Sequence, residues 1–286
     1  MTVETEPQVQ EEVAVLDSLK LPAAVISDVH GNLEAFLAVL GDIDKRGIET
    51  ILNCGDLVGY GPNPCECIEL ARERVRLSVK GNNDVDAIDL NRIMGNTNLQ
   101  EHARASLTWT SYQLSPDDKQ YLSGMLLTEC VGDVVISHAS AVPEDRQKFL
   151  YMDVPPRGVD YAKYVKLMKK RNLEYLRSID KRALLFGHSH IPGFFADVEA
   201  LMTQQMKYDK NGKVVETTFP LTSDGCLVNV GSVGQPRDHD PRASYGIYTG
   251  KSVTIVRVEY DFHETQQKIL KAGLPEIHAT RLESGR

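Results

Sequence analysis

No two cysteines stand in CxxC spacing; the five present, Cys54, Cys65, Cys67, Cys130 and Cys226, are scattered and odd in number. That pattern excludes a thiolate zinc cage or a redox dithiol as the working chemistry, and a reducing, cytoplasmic setting is expected. Basic charge is also short. Lys and Arg total 32 against 40 Asp and Glu, for a formal net charge of -8, which argues against a surface that wraps extended nucleic acid. An acidic chain can still handle phosphate, because bound cations reverse the local field. No apolar run reaches the roughly 18 residues that a membrane-spanning helix needs. The N-terminus is Glu-rich instead of basic and lacks an apolar signal core, so neither secretion nor a membrane is expected.

What is present is a chain of 286 residues, 42% hydrophobic, enough for a sizeable core. Residues 1–20, with Glu4, Glu6, Glu11, Glu12 and Asp17 and few large apolar groups, read as a flexible acidic lead-in. Residues 21–286 read as one domain. The run Ala23–Ile26 is short enough for a buried strand, and Leu33, Phe36, Leu37 and Leu40 then recur at helical spacing. The unit repeats with Thr50–Cys54 as strand and Pro64–Arg74 as helix, then Val75–Lys80 as strand and a further helical stretch. Such alternation implies a mainly parallel, buried sheet. The spacing predicts a loop over Asn91–Gln100, helices over Glu101–Gln113 and from Pro116, a strand over Val131–Ser137, a helix over Tyr161–Ser178 and a strand over Ala183–Phe186. From Phe194 to Tyr260 short β-type runs alternate with turns, which suggests a second, largely antiparallel sheet.

The informative pattern is positional. Asp28-x-His30, Asp56, Asn82, His138 and His188-x-His190 each follow an apolar strand-like run. Loops beyond the carboxyl ends of strands form the ligand crevice of open α/β sheets, so these segments are expected to converge. Seven oxygen and imidazole donors suit two borderline cations when one carboxylate bridges them. Two residues apart in an extended strand end, Asp28 and His30 would point to the same side, and so would His188 and His190. Taken singly, each has a plainer reading as a turn former, a cap or a packed side chain.

Asp28-Val29-His30-Gly31-Asn32, Gly55-Asp56, Gly81-Asn82-Asn83-Asp84, Ile136-Ser137-His138 and Gly187-His188-Ser189-His190 resemble the five signature motifs of the calcineurin-like metallophosphoesterase superfamily. The likeness runs from about Ala23 to Tyr260. Gly59-Tyr60-Gly61-Pro62 and the run from Asn229 to Arg237 are similar to its small bacterial and archaeal phosphodiesterase branch. The resemblance implies an α+β fold, an α/β/β/α four-layer sandwich of two mixed β-sheets flanked by helices. It implies two metal ions, divalent or trivalent (Mn, Fe, Zn, Ni or Co). Asp28, His30 and His190 would hold one, Asn82, His138 and His188 the other, with Asp56 bridging and a metal-bridging hydroxide as nucleophile.

The family's fourth motif carries a histidine that contacts phosphate and helps protonate the leaving group, whereas this chain has Asn83. An amide donates a hydrogen bond but supplies no proton. Activated diesters, aryl or cyclic nucleotide-like, are therefore the expected substrates, with Asp56, Asn82, Asn83 and His239 as catalytic residues and Asn83, Tyr60 and Arg237 as substrate contacts. A small phosphate ester, a nucleotide among the candidates, is the expected partner, and a homo-oligomer is allowed. Arg237 is a candidate phosphate grip and His239 a candidate proton source; alternatively Arg237 and Asp238 pair within their loop and His239 is solvated. Tyr60 is read as a rim aromatic, either stacking on substrate or packing its loop. Asn32 either faces the metals or, as favoured, caps the following helix, and Cys54 is read as a core thiol. The Lys166–Arg171 cluster is read as a solvated helix face. Alternative functions are a protein Ser/Thr phosphatase, against which Gly55–Gly59 lacks an Arg, and a non-catalytic scaffold of the same fold.

Overall fold

The structure is a computed structural model and describes residues 19–97, 99–146, 160–196 and 205–286. The acidic lead-in therefore lies almost wholly outside the described residues. In chain order the strands are β1 (Ala23–Ile26), β2 (Thr50–Asn53), β3 (Leu77–Ser78), β4 (Thr128–Val131), β5 (Val134–Ser137), β6 (Ala183–Phe186), β7 (Gly193–Ala196), β8 (Gln205–Tyr208), β9 (Val214–Pro220), β10 (Cys226–Asn229), β11 (Ala243–Tyr248) and β12 (Ser252–Val258). The helices are α1 (Leu33–Lys45), α2 (Pro64–Arg74), α3 (Asn82–Ala87), α4 (Leu90–Gly95), α5 (Glu101–Gln113), α6 (Pro116–Gly124), α7 (Pro143–Arg146), α8 (Tyr161–Ser178), α9 (Phe262–Lys271) and α10 (Glu276–Ser284).

Two sheets result, a seven-stranded one ordered β3-β2-β1-β11-β12-β9-β8 and a five-stranded one ordered β4-β5-β6-β10-β7. Both are mixed: β1, β2 and β3 run parallel while β11 joins β1 antiparallel. In the second sheet β5, β6 and β10 are parallel, with β4 and β7 antiparallel at its edges. Side chains alternate across a strand, and the alternation writes the layers. In β1, Ala24 and Ile26 pack with Phe36, Val39 and Ile43 of α1, whereas Ala23 and Val25 turn the other way. They meet Ile136, Leu185 and Val228 from the second sheet. The opposite faces of those strands, with Val135, Leu184, Phe186 and Leu227, pack on Met168, Leu173 and Leu176 of α8. Helix, sheet, sheet, helix is the four-layer sandwich implied by the resemblance. No helix among the described residues is long and apolar enough to cross a membrane.

Several local expectations need correction. The strands after Phe194 do not form a sheet of their own. β9, β11 and β12 complete the sheet begun by β1, and β7 and β10 complete the one begun by β5 and β6, because pairing partners are set by burial across the sandwich and not by chain proximity. The strand expected over Val75–Lys80 shortens to Leu77–Ser78, with Val79 bridging Leu126. The run expected over Val131–Ser137 is instead a hairpin, β4 and β5, turning at Gly132 with φ 54°. Part of the loop expected over Asn91–Gln100 is helical. Asp89 accepts the Asn91 N–H at 2.9 Å as its cap, Ile93 is buried, and the Arg104 guanidinium takes the carbonyls of Ile93, Met94 and Asn96 at the far end.

Leu185 sits fully buried between the sheets, so Leu185→Ala should cost about 2–5 kcal/mol. Urea unfolding would measure it, and a loss below about 1 kcal/mol would contradict inter-sheet packing at that residue.

Candidate metal centre

The loops after β1, β2, β5 and β6 meet at one end of the sandwich, where the sheets face each other. Asp28, His30, Asp56, His188 and His190 there all have positive φ, between 52° and 66°, a region that costs a non-glycine residue energy. The expectation of extended strand ends is therefore wrong in detail. The strand β1 stops at Ile26, and left-handed residues at Asp28 and His30 swing both side chains inward. The bend needs backbone at very close range. A Cβ at Gly187 would run into Ser27 Oγ and Asp28 Oδ2, and one at Gly81 into the Asp56 carboxylate.

Two trios of donors form. Asp28, His30 and His190 make one, Asp56, His138 and His188 the other; within each, the ligand atoms lie within 4.8 Å of one another and all six residues are buried. In the first, Asp28 Oδ1 lies 3.6 Å from His30 Nε2 and 3.3 Å from His190 Nε2, and those two nitrogens are 3.1 Å apart. Each ring's Nδ1 faces a main-chain carbonyl, Val58 O at 3.2 Å for His30 and Gln235 O at 2.5 Å for His190. A carbonyl only accepts, so Nδ1 carries the proton when the ring is neutral and Nε2 presents a lone pair. Burial, then Arg237 and His30, hold His190 well below the usual histidine range. Asp28 Oδ1 is buried with no hydrogen-bond partner, while its Oδ2 accepts the His188 N–H at 2.9 Å. A partnerless buried carboxylate oxygen facing imidazole lone pairs fits a cation.

The second trio is filled differently. His138 Nδ1 donates to Cys54 O at 2.9 Å, and its Nε2 faces Asp56 Oδ2 at 3.3 Å and Asn82 Oδ1 at 3.2 Å. Burial opposes the charged ring, yet Asp56 and then Asp28 push His138 up to about 9. The charged ring is thus favoured beside Asp56, in the place where a cation would offset the same carboxylate. Burial raises the Asp56 carboxyl, but His138, His30 and His188 together bring it well below the usual carboxylate range. Asp56 Oδ2 also lies 3.8 Å from His30 Nε2, so this oxygen faces both trios.

Around the trios, Asn83 donates its backbone N–H to Asp56 Oδ1 at 2.8 Å and its amide to Oδ2 at 2.5 Å; its side chain is spent on the carboxylate. Asn32 caps α1, accepting the Ala35 N–H at 3.2 Å. Cys54 is a fully buried core thiol. Tyr60, half-buried, packs at a tilt against the His30 ring with centroids 4.6 Å apart, and the Arg237 guanidinium lies 5.9 Å from its own ring. Arg237 and Asp238 do not pair: Asp238 binds Arg257, and Arg237 donates to Gln235 Oε1 at 2.7 Å. His239 is exposed and its Nδ1 accepts from Arg286 Nε at 3.2 Å.

Asp84 is a further member of the site, one that the sequence motifs alone did not single out. Its carboxylate accepts four backbone N–H groups, from Asp56 and Gly81 at 2.9 Å on Oδ2 and from Leu57 at 2.9 Å and Val58 at 3.2 Å on Oδ1. It thereby clamps the Asp56 loop onto the start of α3. Its place as third residue of a helix opening at Gly81 was a capping signal in the sequence. Ser232, which donates to Asp28 O at 2.9 Å, and Asn229, which donates to Gly187 O at 2.8 Å, stand in the Asn229–Arg237 run of the resemblance, which gave neither a role.

A family profile described as calcineurin-like phosphoesterase matches residues 21–192. An uncharacterized protein of Methanocaldococcus jannaschii is 34% identical over 279 residues, 94% of this chain and 100% of that protein. Among solved structures, a metallophosphoesterase from Sphaerobacter thermophilus is 33% identical with a TM-score of 0.69, covering 92% of this chain and 98% of that one. A hypothetical protein from Pyrococcus horikoshii is 20% identical with a TM-score of 0.67, covering 93% and 98%, and shares the fold.

Because Asp84 satisfies four donors, Asp84→Asn should destabilise the metal-free protein by at least about 2 kcal/mol, an amide accepting fewer of those bonds and opposing N–H to N–H. Denaturant unfolding would measure this, and a loss under about 0.5 kcal/mol would show that the clamp is dispensable.

Proposed function

Since the chain belongs to the calcineurin-like phosphoesterase family, we propose that it hydrolyses phosphodiesters with good leaving groups, aryl or cyclic nucleotide-like, using two cations. The observation that carries the reading is the buried, partnerless Asp28 Oδ1 facing His30 and His190, one trio away from an Asp56 oxygen that faces both sets of imidazoles. Asp28, His30 and His190 would hold one ion and Asn82, His138 and His188 the other, with Asp56 serving both. Bound there, the two ions lower the pKa of a water and offset charge on the phosphoryl oxygens. The donors, all oxygen or imidazole nitrogen, suit manganese, iron, zinc, nickel or cobalt alike.

The chain's own groups shape the rest. Asn83 orients Asp56 through two hydrogen bonds, and having no acidic proton it cannot protonate a leaving alkoxide. Leaving groups that depart as stable anions are thereby favoured. Tyr60 and Arg237 contact the substrate, while His239, exposed and accepting from Arg286 at Nδ1, exchanges protons with solvent and not with the leaving group. The segment 21–286 acts as one catalytic domain, since strands from its beginning and end share the first sheet. Five free cysteines, three of them buried, fit a reducing, cytoplasmic location.

With manganese, bis-nitrophenyl phosphate should be turned over at least about 10²-fold faster than a dialkyl phosphate, as expected where general-acid help is missing. Asp56→Asn should abolish both activities. Equal turnover of aryl and alkyl esters, or activity surviving Asp56→Asn, would overturn the assignment.

A further inference from the structure

We propose that Arg237, Arg281 and His102 form an anion subsite beside the metal centre that takes a second phosphate group, so that the preferred esters carry a further phosphoryl group besides the one cleaved. This rests on the phosphoesterase reading above. The Tyr60 ring is flanked by His30, at 4.6 Å, and by His278 of α10, at 4.8 Å; His102 of α5 lies 5.3 Å from His278. Arg281 follows His278 by three residues on α10 and so shares its face one turn on. Arg237 reaches the same ring from the opposite segment. That segment is tied to the end of α10, His239 N–H donating to Gly285 O at 2.8 Å and Arg286 Nε to His239 Nδ1 at 3.2 Å. Tyr60, Arg237, Arg281 and His102 are all half-buried and reachable from solvent.

Among the described residues, neither Arg237 nor Arg281 pairs with a carboxylate, and His102 beside them is a neutral donor. Arg46, Arg74, Arg92, Arg171, Arg242 and Arg257 each pair with a carboxylate. Arg237 has only the neutral Gln235 Oε1 there, and its buried Nε has no hydrogen-bond partner. The nearby carboxylates of Asp238 and Asp240 are committed to Arg257 and Arg242. Burial and then Arg237 disfavour the charge on Arg281, and burial, Arg281 and Arg237 disfavour charge on His102. Clustered like charges repel, and an anion relieves that repulsion while taking forked N–H donors. Tyr60 touches both His30 and His278, and His102 lies beyond His278, so an anion reaching His102 and Arg281 is a different group from the one at the metal donors.

The test uses the full-length manganese-loaded protein, with orthophosphate and pyrophosphate as inhibitors of bis-nitrophenyl phosphate hydrolysis. Pyrophosphate should bind the wild type more tightly than orthophosphate, competitively. Arg281→Gln should weaken pyrophosphate about tenfold more than orthophosphate, the loss of one charge-assisted contact, and Arg281→Lys should restore part of the difference. An equal shift for both anions, or non-competitive pyrophosphate inhibition, would overturn the subsite. If Arg281→Gln fails to fold, His102→Gln reads the same ratio: a selective loss of pyrophosphate supports the subsite and an equal shift overturns it. Should the wild type not hydrolyse bis-nitrophenyl phosphate, the phosphoesterase reading fails; calorimetric binding of pyrophosphate and orthophosphate to wild type and Arg281→Gln then tests the subsite by the same ratio.

Discussion

Two carboxylates, Asp28 and Asp56, are held at 0% and 1% exposure, and the surrounding structure is organised by what it takes to keep them there. An isolated buried charge is very costly, so each must find donors or a cation. Asp56 receives two hydrogen bonds from Asn83 and faces His138; Asp28 receives the His188 N–H on one oxygen and nothing on the other. The two needs differ, and the difference explains the asymmetry of the trios. In one, an imidazole faces the carboxylate at 3.3 Å, while the other keeps an oxygen and two ring nitrogens facing one another.

Bringing these groups together demands strained backbone, with left-handed residues at five of the six trio positions. Strain of this kind persists only when its surroundings over-determine it. The surroundings here are two sheets with a shared apolar interior, the clamp of Asp84 on four N–H groups, and main-chain bonds such as His30 N–H to Asp56 O at 3.0 Å and Gly234 N–H to Asp28 O at 2.9 Å. Those last two join loops far apart in sequence. The rigidity of the sandwich is thus spent on holding donors for ions in place.

The strand-end placement of the donors was legible because buried strands are short apolar runs and the polar residue that follows each stands out. Asp28, Asp56, His138 and His188 could be found that way, and the motif resemblance ordered them into sets. The αL turns that aim them were not legible, since Asp and His tolerate φ above zero but which of them adopt it is set by tertiary contacts. Nor was the mixing of β9, β11 and β12 into the first sheet, which depends on which apolar face meets which. The α4 helix hid behind Asn and Gly residues that read as loop, its support coming from Arg104 in the next helix. Arg281 could not be singled out from sequence at all: an arginine near a C-terminus is ordinary until the charges around it are counted.

The most direct test of the central claim is anomalous diffraction from crystals of the protein grown with manganese. The account predicts two peaks about 3.5–4 Å apart, one among Asp28, His30 and His190 and one among Asn82, His138 and His188, with Asp56 touching both. A single peak, or manganese bound only by carboxylates on the surface, would contradict it.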